Sequence, residues 1–295
     1  MKKVILDTDI GADCDDVIAL EYLLKKMKAK ECEIIAITTC TRRKYASAAT
    51  KRILHDFGFL SIPIGEYDGN PLPCDSFDHY AKELAEGVSI RSESATKLIR
   101  KALMDNEKTD LVCIGPLCNI FTLLQSGPDE ISNQNGVKLI QEKVGKMYVM
   151  GGAFEFSEGE TSFVEWNFEQ DLVSAKMVLK EFPRKIVLCP SEVGARVMTY
   201  KENTSGLTRG AMEYFFQSIN QPHLLMRPSW DPLTCMVALK ENDFHFSDRG
   251  CVQISERGYT KFIPSKEGQI KYLDLNNDFK AIEKRLNDAL KGDEF

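Results

Sequence analysis

The chain has 295 residues, 43% hydrophobic and 28% charged, with 44 Asp and Glu against 38 Lys and Arg for a formal charge of -6. This is the composition of a soluble globular chain, long enough for one large α/β domain or two smaller ones. Its basic residues are scattered rather than blocked, which argues against nucleic acid or an anionic membrane as a partner.

In chain order, short β-branched apolar runs alternate with segments of helical periodicity. The runs are KVILD (3–7), EIIAITT (33–39), DLVCIG (110–115), KMYVMGG (146–152) and KIVLC (185–189). Between and after them, Val17–Lys28, Ala46–Phe57, Ala95–Asp105, Leu172–Phe182 and Gly210–Ile219 carry apolar residues at helical spacing. That alternation predicts βαβ units and an open, mostly parallel, Rossmann-like sheet covered by helices on both faces. Beyond residue 250, CVQISERGYTKF and GQIKYLDL read as a hairpin-like β segment and DFKAIEKRLNDAL as a closing helix. No linker or repeat interrupts the pattern, so residues 1–295 are expected to form a single domain.

The nine cysteines include no CxxC pair and no adjacent His, and most lie in apolar runs, where a free thiol is a small core residue. With no signal-peptide pattern after MKKVILDTD and no apolar stretch of membrane-span length, a reducing cytoplasm is expected.

One stretch departs from this ordinary picture. VILDTDIGADCDDVIAL (4–20) sets Asp7, Asp9, Asp13, Asp15 and Asp16 between two apolar runs. Like charges ~5 Å apart repel by about 3 kcal/mol per pair at an effective dielectric near 20. Capping of the helix that begins at Asp15 or Asp16 accounts for one or two of the five. A hard divalent cation with oxygen ligands accounts for the rest. An EF-hand loop is excluded, because position twelve from Asp7 is Ile18 rather than Glu. A Mg²⁺-dependent phosphohydrolase of the haloacid-dehalogenase type fits weakly, since DTDI is followed by Gly11 where Thr or Val belongs.

DTDIGADCDDVIAL also resembles the N-terminal signature of the nucleoside hydrolases, DxDPGxDDxxAL, with a loop two residues longer and Ile10 for the proline. IGPLCNI (114–120) is similar to that family's GPLTNI segment and VMGGAF (149–154) to its MGGAF segment. VEWN with Asp171 (164–171) looks like its EFNxxxDP block, and SWDPLTCMVAL (229–239) like its HDPxxxxxxL block. Each match alone is weak, but five in order across most of the chain identify it as a member.

The resemblance implies the family's α/β fold and Ca²⁺-dependent hydrolysis of the N-glycosidic bond of ribonucleosides to ribose and free base. It implies that Asp9, Asp16 and Asp231 hold the ion together with the carbonyl of Cys118. Asp9 would be the base acting on water activated there. Asp15, Glu165 and Asn167 would bind the ribose hydroxyls, although Glu165 and Asn167 also suit a plain loop before a helix capped by Asp171. A nucleoside is the implied small-molecule partner and a homo-oligomer, dimer or tetramer, the implied assembly. A ribose-binding protein of the same fold with little turnover is the alternative from a different class.

Three departures bear on function. Asp13 lies in the lengthened loop, where it would reach the metal or cap a turn. Arg43, or Arg42, stands where the family commonly has an Asn, and is expected at a solvated helix start unless the loop turns inward. Trp230 replaces the His that precedes the motif Asp and resembles the purine-preferring branch, in which a Trp stacks on the base and eases its protonation. None of His55, His79, His223 and His245 occupies the motif position. A second aromatic wall would come from Tyr67, Phe77, His79, Tyr80 or Trp166.

Overall fold

The computed structural model describes residues 1–90, 92–154 and 163–291. Its centre is a parallel pair whose residues are buried on both faces. Strand β1 (Lys2–Thr8) pairs in parallel with β2 (Cys32–Thr39) on one side and with β5 (Thr109–Cys113) on the other. Strands β3 (Ile64–Glu66) and β4 (Glu93–Ser94) extend the sheet beyond β2, and β6 (Val144–Met150) and β7 (Lys185–Cys189) extend it beyond β5. The C-terminal segment completes it. Strands β10 (Gly250–Ile254) and β11 (Thr260–Pro264) form the antiparallel hairpin expected there, and β12 (Ile270–Tyr272) joins that hairpin to β7, in parallel with β7. The order is β11-β10-β12-β7-β6-β5-β1-β2-β3-β4.

Alternation along β1 sends Val4 and Leu6 into one apolar core and Ile5 into another. The first core is covered by α1 (Asp15–Lys28), α2 (Ala46–Asp56), α10 (Gly206–Ser218), α11 (Trp230–Leu239) and α12 (Phe279–Leu290). The second is covered by α4 (Ala95–Asp105), α5 (Cys118–Gln125), α6 (Gly136–Lys143) and α8 (Leu172–Glu181). The five helices and five main strands expected from periodicity, and the closing helix, are present within a few residues. Short β3, β4 and the separate pair β8 (Met198–Tyr200) and β9 (Met226–Pro228) were not expected, being too brief to carry a periodic signal.

Eight of the nine cysteines are buried and all are free thiols. Among the described residues, no helix is long and apolar enough to cross a membrane.

Candidate active site

Every parallel strand delivers its C-terminal end to one edge of the sheet, which is where an open α/β sheet binds ligands. β1 ends at Thr8 and leads to Asp9, β5 leads to Ile114, β6 ends at Met150, and β7 leads through Pro190 to Ser191; Asp9, Ile114, Met150 and Ser191 all line a cavity of about 450 Å³. The loop from β1 to α1 forms its floor. Gly11 adopts φ +118°, a conformation open to glycine at little cost, and a Cβ there would press on Ala81 at 3.2 Å. The Tyr80 hydroxyl fixes this loop, accepting from Gly11 N at 2.9 Å and donating to the Asp13 carbonyl at 2.7 Å. Tyr80 is fully buried in this role, which removes it as a candidate wall for a base.

Asp15 and Asp16 open α1, and Asp231 lies in the first turn of α11, which packs directly on α1. Carboxylate oxygens of these three buried residues lie within 4.8 Å of one another. The Asp231 backbone N–H donates to Asp15 Oδ2 at 3.2 Å, and the Thr8 hydroxyl donates to Asp16 Oδ1. Burial raises the pKa of all three well above the ordinary carboxylate range, and neighbouring carboxylates add to the shift. Three converging buried oxygens with no cationic side chain among them suit a hard cation, which prefers carboxylate and water ligands.

Asp9 adjoins this trio without being part of it. Its carboxylate faces Arg43, whose Nη1 donates to Asp9 Oδ2 at 3.2 Å and to the Asp9 carbonyl. Arg43 Nε donates to the Cys74 carbonyl at 3.1 Å, and the side chain is buried. The solvated helix start expected at this place applies only to Arg42, which is exposed, because the loop turns Arg43 inward. Burial raises the pKa of Asp9, and the Arg43 guanidinium opposes that rise. Asp7, behind it, accepts from Thr38 Oγ1 at 2.5 Å and Asn119 Nδ2 at 2.8 Å, and burial lifts it to about 7.

Asp13 neither caps a turn alone nor joins the trio: it pairs with Arg227 on β9. Cys118 begins α5, its carbonyl accepts from Thr122 Oγ1 at 2.8 Å, and it is not among the described residues lining the cavity. Glu165 and Asn167 do line it. Glu165 also caps the short helix α7 (Trp166–Gln170), accepting from Asn167 N at 2.9 Å and Phe168 N at 3.0 Å. Asn167 Nδ2 donates to the Ile114 and Met150 carbonyls, both at 3.2 Å, which orients its amide. Asp171 caps α8 through Ser174 N. The loop before a helix capped by Asp171 is therefore present, and these bonds fix Glu165 and Asn167 where they border the cavity.

Burial lifts Glu165 to about 7, against the pull of the backbone N–H groups it accepts from. The fold holds this proton and the unfolded chain, near 4.5, does not. The contribution is therefore complete below about pH 4.5 and is lost as pH rises through about 7. Glu165→Gln is expected to remove that part of the slope. Urea titrations at pH 5 and pH 8 should show the variant gaining about 2–3 kcal/mol on wild type between them; parallel changes in both proteins would contradict the assignment.

The upper walls are aromatic. Trp230 borders the cavity half-buried, its Nε1 donating to the Ser191 carbonyl at 2.9 Å. A Cβ at Gly194 would lie 2.2 Å from its ring, so only glycine permits this packing. Phe77, His79, Phe163, Trp166 and Phe215 complete the walls. Phe77 and Trp166 are partly exposed and meet edge to face at 5.6 Å. His79 alone of the four histidines lies here, with Nδ1 2.8 Å from Ser218 Oγ; Tyr67 does not line the cavity.

A mostly parallel sheet covered on both faces, with buried acids at its C-terminal edge beneath an aromatic-walled cavity, is an α/β fold with a candidate small-molecule site. The family model of the inosine-uridine preferring nucleoside hydrolases matches residues 4–281, and the chain belongs to that family of N-ribosyl hydrolases. No curated protein matches the sequence. Among solved structures it is similar to a plant nucleoside hydrolase (19% identity, 99% of each chain, TM-score 0.76). It is also similar to the purine-preferring ribonucleoside hydrolase from Gardnerella vaginalis (19% identity, 98% of each chain, TM-score 0.75). A third is the inosine-uridine preferring nucleoside hydrolase from Bacillus anthracis (21% identity, 98% of this chain and 100% of that one, TM-score 0.72).

Proposed function

We propose that this nucleoside hydrolase cleaves purine ribonucleosides with the help of one Ca²⁺-like cation. The observation that carries the reading is the buried Asp15, Asp16 and Asp231 trio at the foot of a cavity walled by Trp230 and other aromatic rings. Those three residues would hold the cation. When bound, it would supply Lewis acidity toward water and sugar hydroxyls. Asp9, adjoining the trio and paired with Arg43, takes the proton from the attacking water. The Arg43 guanidinium offsets one negative charge of the cluster, so Asp9 can act without adding a full unpaired charge to it. Glu165 and Asn167, fixed by their backbone contacts, hold the ribose. The aromatic walls exclude water and carry the base, as the glycosidic bond lengthens toward an oxocarbenium-like transition state. The free buried thiols support a reducing compartment such as the cytoplasm.

A panel of ribonucleosides assayed for reducing sugar and free base, with Ca²⁺ and with chelator, tests the reading. Purine nucleosides are expected to release base, and chelation to stop it. Phosphate release from phosphorylated substrates without base release would establish the phosphohydrolase instead. Tight nucleoside binding without products would establish a binding protein.

A single domain is proposed for the same chain, because one sheet takes strands from residues 2–8 and 270–272 and α1 packs on both α11 and α12. Limited proteolysis is expected to trim surface loops such as 69–78; recovery of two stable halves that fold separately would contradict it.

A further inference from the structure

Arg227 is the one arginine or lysine among the described residues lining the cavity, and it stands on the wall formed by Trp230 and Phe215. Its guanidinium carbon is 5.2 Å from the centroid of Trp230 and 4.9 Å from that of Phe215. Both distances fall within cation–π range, so the guanidinium borders the two rings on the cavity wall. One side of the guanidinium is occupied. Nε donates to Asp13 Oδ1 at 3.0 Å and Oδ2 at 3.1 Å, and Nη2 donates to Oδ2.

A planar guanidinium carries five N–H bonds in a fixed fork. With Asp13 on the Nε and Nη2 side, one N–H of Nη1 and the second N–H of Nη2 form another parallel pair at the end of the group. No described residue accepts from Nη1. A purine carried on Trp230 would bring one edge toward this end of the guanidinium. The two purine classes differ there. A 6-oxopurine offers O6 and N7 as adjacent acceptors, the pattern a guanidinium fork matches, whereas adenine offers N7 beside the N6 donor.

We infer that Arg227 reads the base edge, so that the site selects 6-oxopurine ribosides such as inosine and guanosine over adenosine. This rests on the N-ribosyl hydrolase reading with the base carried on Trp230. Asp13 then acts as a positioning residue that holds Nε and Nη2 and so fixes the fork against the cavity wall. A site that pairs with a polar edge discriminates more strongly than an apolar slot, because the wrong base leaves the donors of the fork facing a donor.

Two measurements test the inference in the intact protein. The first is the ratio of kcat/KM for inosine to that for adenosine, in wild type, Arg227→Met and Arg227→Lys. The ratio is expected to fall by about tenfold or more in both variants, lysine keeping the cation beside Asp13 but losing the fork. Asp13→Asn should raise KM for inosine more than it lowers kcat. The second is calorimetric titration with free hypoxanthine and free adenine, which needs no turnover. Wild type should prefer hypoxanthine, and Arg227→Lys should lose that preference. An unchanged ratio in Arg227→Lys, or equal binding of both bases by wild type, overturns the assignment. If no nucleoside is cleaved but the hypoxanthine preference appears and is lost with Arg227, the hydrolase reading fails and the role of Arg227 stands.

Discussion

Asp231→Ala is expected to abolish Ca²⁺ binding and, at the same time, to make the cation-free protein more resistant to heat. Loss of contacts that merely support metal ligands costs about 10–100-fold in affinity, and loss of a direct ligand costs more, so a decline of at least about a hundredfold is expected. The second effect follows from repulsion. Asp15, Asp16 and Asp231 have oxygens within 4.8 Å, all buried, with every pKa driven up by burial and by the neighbouring acids. At that separation each ionised pair costs about 3 kcal/mol at an effective dielectric near 20. Removing one carboxylate relieves two pairs. Calorimetric titration and thermal melts in chelator and in excess Ca²⁺ check both parts. Wild-type affinity, or a cation-free variant melting below wild type, would rule out the trio as the metal site.

Trp230→Ala is the second substitution with a large expected effect. Trp230 abuts Asp231 in sequence, is locked by its bond to the Ser191 carbonyl, and is packed against Gly194. Its ring therefore keeps one orientation on the cavity wall. Stacking a base on an aromatic face contributes about 0.5–1.5 kcal/mol beyond area burial. A departing purine also gains from a ring that helps it accept charge or a proton. Activity on purine nucleosides should fall much further in kcat than activity on p-nitrophenyl riboside, whose leaving group needs no help. Equal losses on both substrates would reduce Trp230 to packing and ground-state binding.

Much of this architecture was legible because it is written in period and order. After their opening lysines, KVILD and KIVLC, like DLVCIG, are buried on both faces and read as continuous apolar runs, which is what a central parallel strand must be. Asp16 and Asp231 were legible through motifs, and they do meet. The direction of individual side chains was not. Arg43 turns inward because the Cys74 carbonyl and Asp9 await it, and neither is near it in sequence. Asp9 was expected among the ligands; its carboxylate pairs with Arg43, and the three carboxylates that converge are those of Asp15, Asp16 and Asp231. The pairing of Asp13 with Arg227 joins an extended loop to a three-residue strand with no periodic signal of its own. Of the candidate base walls, Tyr80 was lost to the support of the Gly11 loop, and Phe77, His79 and Trp166 remain.

The meeting of Asp231 with Asp15 spans 216 residues of chain. The site therefore has no local precursor: a growing polypeptide that ends before α11 owns two of the three carboxylates and none of the Trp230 wall. Contacts of such sequence separation form late and slow the search for the native state. A ligand that engages all three acids binds only the finished fold, so its free energy adds to the stability of the whole molecule rather than of one loop. During synthesis, capture of a cation would mark completion of the chain, and shortage of it would be felt first as a smaller folded population.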